Sequence, residues 1–159
     1  MHRELASPLA LTARLSRWNR DARCDDGGVG ERSVLEIGVI VLKWSEWTPW
    51  PDLVADNRGG FGVTIPNQVP GVYEVRASAA NGAERLYIGK AGNLRMRVRQ
   101  GLVKGKLPHP GGTRIRAQED VARLLVRWAM TSRPAAAEEE LHQAYRREFG
   151  RLPAYVKNT

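Results

Sequence analysis

The chain has 159 residues, 42% hydrophobic and 26% charged: material for one compact domain with its own core and a short extension, not for two full domains. Sixteen Gly and nine Pro are average usage, which argues against a disordered or fibrous chain. No window reaches the roughly 18 consecutive apolar residues of a membrane span, Cys24 has no partner for a disulfide, and the net charge of +8 suits a soluble cytoplasmic protein that meets polyanions rather than membranes.

In chain order, residues 9 to 23 read as a helix with Leu11, Leu15 and Trp18 on one stripe and Arg14, Arg17, Arg20 and Arg23 elsewhere. Asp25 to Gly30 is loop chemistry, and Val34 to Trp44 reads as a strand. Trp44, Trp47 and Trp50 follow in a segment whose Pro49 and Pro51 argue against regular structure, which predicts a tryptophan lid over the core. Pro70-Gly71 launches a strand from Val72 to Ala77. Asn81-Gly82 is a hairpin signal, with Arg85 to Gly89 as the returning strand. Leu94, Val98 and Leu102 then mark a helix from Gly92 to Leu102. Leu107 to Gly112 reads as a Pro/Gly loop around His109, followed by a short helix at Ala117 to Ala122 and a strand at Leu124 to Ala129. Pro134 opens a last helix, Ala135 to Glu148, ended by Gly150.

The positive charge is concentrated. Arg85, Lys90, Arg95, Arg97, Arg99, Lys104, Lys106, Arg114 and Arg116 fall in a stretch without Asp or Glu, either a phosphate-binding face or a solvated basic surface. Twenty of the 25 basic residues are Arg, whose planar fork suits phosphate oxygens. Nucleotide-binding and serine-hydrolase signatures are missing: Gly89-Lys90 lacks the flanking residues of a phosphate-binding loop, and there is no G-x-S-x-G elbow. What remains is a pair of tyrosines on adjacent strands, in Gly71-Val72-Tyr73 and Tyr87-Ile88-Gly89, with Arg97 ten residues later and Glu138 opening a helix at Glu138-Glu139-Glu140.

These residues resemble the GIY-YIG nuclease superfamily. Its name-giving triplets correspond to Gly71-Val72-Tyr73 and Tyr87-Ile88-Gly89, the run Lys90-Ala91-Gly92-Asn93-Leu94-Arg95-Met96-Arg97 is similar to its second motif, and Glu138 to Leu141 with Tyr145 is similar to its glutamate helix. The resemblance covers about residues 70 to 158. It implies an α+β fold, a small antiparallel sheet flanked by helices in the order β-β-α-β-α, occupying 70–159 behind an N-terminal extension of 1–69 with a helix and a strand.

The implied activity is hydrolysis of DNA phosphodiesters with one Mg2+ or Mn2+ ion, by a restriction-type or other stand-alone endonuclease. The resemblance makes Glu138 the metal ligand, Arg97 the phosphate clamp, Tyr73 the base or proton relay for the attacking water and Tyr87 its partner, with Lys90 favouring phenolate. Glu139 or Glu140 takes the ligand's place if the register shifts. His109 is either a relay or a loop histidine without chemistry, and Asn158 is the candidate for the family's terminal asparagine. Arg95, Arg99, Lys104, Lys106, Arg114 and Arg116 are the expected phosphate contacts on duplex DNA; double-strand cutting would suggest a homodimer. Two other readings are a module of the same fold that binds nucleic acid without cutting it, and a protein-interaction domain with a basic face.

Overall fold

Strand-forming residues between 48 and 130 assemble an α+β domain around one antiparallel sheet. The computed structural model describes residues 39–55, 64–77 and 84–157. The predicted helix at 9–23, the loop at 25–30, the Asn81-Gly82 turn and Asn158 lie outside the described residues. The elements are β1 (Thr48–Pro49), α1 (Trp50–Val54), β2 (Gly71–Ala77), β3 (Arg85–Ala91), a π-helix (Arg95–Val103), α2 (Pro110–Gln118), a 3-10 turn (Val121–Arg123), β4 (Leu124–Met130) and α3 (Pro134–Phe149). The sheet order is β1-β4-β2-β3, and all pairs are antiparallel. Among the described residues, no helix is long and apolar enough to cross a membrane.

Strand alternation separates two faces. Tyr73 and Val75 of β2, and Val126 and Trp128 of β4, face the π-helix, where Leu94, Val98 and Leu102 are fully buried, together with Ile115, Trp50 and Leu53. The i, i+4, i+8 stripe read from the sequence is therefore the core stripe. Its helix is wound more widely than the periodicity implied, with the Lys104 N–H reaching the Arg99 carbonyl at 3.0 Å in the i→i+5 pattern. On the other face, Val72 and Ala129 pack on Ala137 and Leu141 of α3. Gly150 ends α3 in the left-handed conformation, φ 70°.

Several expected elements differ. Of the strand predicted at Val34 to Trp44, the described part has one bridge, Trp44 to Ala129. The chain from 39 is extended, with Ile40 and Leu42 turned to α3 and Val39 and Val41 exposed, but it forms no continuous ladder. Pro49 and Pro51 do not prevent α1, because a proline in the first helical turn removes an N–H that has no helical partner. Of the three tryptophans predicted as a lid, Trp50 is the one fully enclosed in the core. Trp44, half-buried, packs on the Val72–Ala129–Ala137 cluster as well as on Arg127, whereas Trp47 is half-buried against arginine side chains. The predicted loop at Leu107 to Gly112 holds the start of α2, and the predicted helix at Ala117 to Ala122 is split between the end of α2 and the 3-10 turn that Asp120 caps. The sheet and core draw on both sides of the boundary expected at 69/70, through β1, α1 and Ile65.

Candidate active site

Pairing of β2 with β3 sets Tyr73 opposite Gly89. The register works because Gly89 has no side chain: a Cβ there would lie 2.6 Å from Tyr87 Cε1 and 2.9 Å from Tyr73 Oη. The two tyrosine rings occupy that space, with centroids 5.9 Å apart. His109 completes the cluster, its ring centroid 5.3 Å from that of Tyr87 and its Nε2 2.7 Å from Tyr73 Oη.

His109 is a helix cap that the sequence presented as loop. Its Nδ1 accepts the Gly112 N–H at 2.7 Å, which serves one of the orphan donors of α2. Pro110 follows at the first helical turn, and Gly111 is required because a Cβ there would lie 2.3 Å from Tyr87 Cε2. A neutral imidazole accepting at Nδ1 carries its proton on Nε2. It therefore donates to the Tyr73 oxygen. Burial, with the Arg97 charge beside it and Arg116 beyond, lowers the His109 pKa to about 4.

Arg97 anchors this loop, its Nη1 donating to the Pro108 carbonyl at 3.0 Å. Tyr73 is fully buried. Burial and the neighbouring Tyr87 push its pKa well above the ordinary value, while Arg97 opposes that rise. Desolvation thus outweighs the nearby Arg97 cation, and Tyr73 on its own rests as a phenol. Tyr87 is only half-buried.

The acidic partner lies at the sheet edge. β3 is the outermost strand, and α3 supplies what a further strand would have supplied. Glu138 Oε1 accepts the Lys90 N–H at 3.1 Å, and His142, one turn on, bonds the Ile88 carbonyl at 3.2 Å. The second carboxylate oxygen of Glu138 pairs with Lys90 Nζ at 2.6 Å. Since Lys90 directly follows Gly89, the ion pair and the tyrosine-histidine cluster are carried by consecutive residues of one strand, which alternation assigns to opposite faces of the sheet. An open groove of about 700 Å3 runs along this edge, lined among others by Lys90, Glu138, Glu139, His142, Arg146 and Lys157. Glu139 and Glu140 are exposed.

No group of three or more His, Cys, Asp or Glu side chains with metal-binding geometry occurs among the described residues. Glu138 alone suits a hard cation such as Mg2+, which keeps several waters and is often held by one or two carboxylates together with substrate phosphates. The Lys90 side chain, 52% exposed, has room to swing aside for it.

The predicted phosphate contacts divide. Arg95 and Lys106 are exposed, and Lys104 is half-buried. Arg99 is buried and donates to the Ala55 carbonyl, Arg114 donates to Tyr155 O at 2.6 Å, and Arg116 donates to Gly101 O at 3.1 Å and to Leu102 O. These three hold loops and helix ends to the core, because a guanidinium can satisfy several carbonyls at once. His142 was missed, although its i+4 spacing from Glu138 on α3 marked it. The chain matches no family model, no curated protein and no solved structure.

Proposed function

We propose that the protein is a DNA endonuclease of the GIY-YIG type, dependent on a divalent metal and stand-alone or restriction-type in its role. The observation that carries this reading is the succession on one edge strand of Gly89, against which Tyr73 and Tyr87 gather with His109 and Arg97 beside them, and Lys90, which Glu138 binds. Phosphodiester hydrolysis builds negative charge on phosphoryl oxygens, and a guanidinium opposite a carboxylate-held cation is what that charge requires.

Glu138 would hold the ion, Mg2+ or Mn2+, with Lys90 released toward the substrate phosphate. The ion supplies a Lewis acid for the phosphate oxygens. Arg97 clamps the phosphate from the other side. Tyr87, the more accessible phenol, meets the attacking water, while Tyr73 and His109 behind it fix its ring and offer a hydrogen-bonded route for a proton. Burial of Tyr73 favours a relay role for it over that of a free base.

The 2.6 Å pairing of Lys90 with Glu138 favours a second reading, a nucleic-acid-binding module whose carboxylate is permanently neutralised. Incubation with supercoiled plasmid separates the two. The nuclease reading predicts nicked and linear DNA with Mg2+ and none with chelator; intact plasmid across Mg2+ and Mn2+ would leave the binding module.

A further inference from the structure

The sheet face that carries Glu74 and Arg76 holds a charge cluster with no part in the proposed chemistry. Glu74 is buried and accepts from Arg127 Nε at 2.7 Å, Arg127 Nη2 at 2.6 Å and Arg85 Nε at 3.0 Å. Arg76 joins from the same strand. All three guanidiniums gather on the Trp47 ring, with Arg76 4.2 Å, Arg127 4.4 Å and Arg85 5.5 Å from its centroid, and Arg127 is also 4.3 Å from that of Trp44. Among the described residues, three guanidiniums thus gather around the one carboxylate of Glu74. The carboxylate lies beneath at 4% exposure, while Arg85 and Arg127 reach solvent at 24% and 20%.

Packing on tryptophan stabilises each guanidinium through the negative face of the ring, but it does not neutralise the cluster. Arg76 feels the deficit: burial and then the Arg85 and Arg127 charges lower its pKa, and its Nε is buried without a hydrogen-bond partner. An anion arriving from solvent would relieve this repulsion. Three planar donors converging on one ring present many N–H groups within a small area, which matches the several oxygens of a phosphate better than the spaced single carboxylates of an acidic peptide.

We infer that the Arg76–Arg85–Arg127 cluster over Trp47 is a second phosphate-binding site, taking a nucleic-acid backbone on the sheet face opposite the tyrosine cluster. Trp44 and Trp47 act as rigid platforms that hold the guanidiniums in place. A nucleic acid engaged at the β3 edge would have a second point of attachment here. The inference stands apart from the nuclease reading, since it concerns binding alone.

The test is fluorescence anisotropy of a labelled duplex in chelator, so that hydrolysis plays no part, repeated across a salt series. Arg76→Gln, which leaves both Glu74 ion pairs in place, should weaken binding roughly fivefold and reduce the slope of log K against log salt by about one. Arg76→Lys should recover most of the slope, because the charge is kept. Thermal melting of each variant confirms that it is folded; should Arg76→Gln not fold, Arg76→Met carries the same expectation. Unchanged affinity and slope in a folded variant would overturn the inference and make the cluster a packing device. An Arg76-dependent melting shift in inorganic phosphate, with duplex binding unaffected, would overturn the nucleic-acid assignment in favour of free phosphate. Failure of plasmid nicking leaves this result untouched.

Discussion

His109 shows how one side chain serves both fold and site. Its Nδ1 caps α2 and its Nε2–H holds the Tyr73 oxygen, so the bond that ends a loop also fixes the tautomer facing the cluster. Above pH 6.5 the ring is neutral in folded and unfolded chains alike. Between 6.5 and about 4 the unfolded chain takes up a proton that the folded ring refuses, so the folded state loses stability as pH falls through that window. His109→Gln should therefore show a shallower fall of Tm over the same range than the native chain; equal falls would contradict a buried neutral imidazole. The two tyrosines were legible in the sequence as neighbours on a hairpin, because the Asn81-Gly82 signal lies between their strands, and Arg97 as part of a basic helix. The cap was not, because Gly111 and Gly112 read as loop residues until the Tyr87 ring is seen lying against the Gly111 Cα.

At the scale of elements, β2, β3, β4 and α3 were legible because each carries its own period or punctuation: the Pro70-Gly71 turn, the alternation through Trp128, and Pro134 with Gly150. α1 and α2 were hidden by prolines that break helices in their interior but open them at the first turn. Arg95–Val103 announced its buried stripe but not its wider winding, which leaves no mark in hydrophobic spacing. That stripe is the main apolar cover of the tyrosine-bearing sheet face. Leu102→Ala should cost about 2–5 kcal/mol in urea unfolding, and a loss below about 0.5 kcal/mol, ordinary for surface positions, would contradict its place in the core. The i+4 spacing of Glu138 and His142 was present in the sequence, but the edge it caps was not. That capping depends on β3 being outermost, a fact of topology rather than of local sequence.

Over the whole molecule, the charge of +8 is distributed differently from its distribution along the chain. Arg99, Arg114 and Arg116 of the basic stretch turn inward to carbonyl groups, while Arg76 and Arg127, outside that stretch, gather with Arg85 on the opposite sheet face. Linear counting finds the excess charge but not the side on which it emerges. In the proposed nuclease, one edge strand carries both the tyrosine-histidine-arginine cluster and the Lys90–Glu138 pair whose carboxylate would hold the ion. Glu138→Gln is the decisive variant, because the amide keeps the size and an acceptor for the Lys90 N–H while removing the charge. In the plasmid assay with Mg2+, nicking by this variant should fall ~100-fold or more with duplex binding retained; nicking at the native rate would contradict the claim.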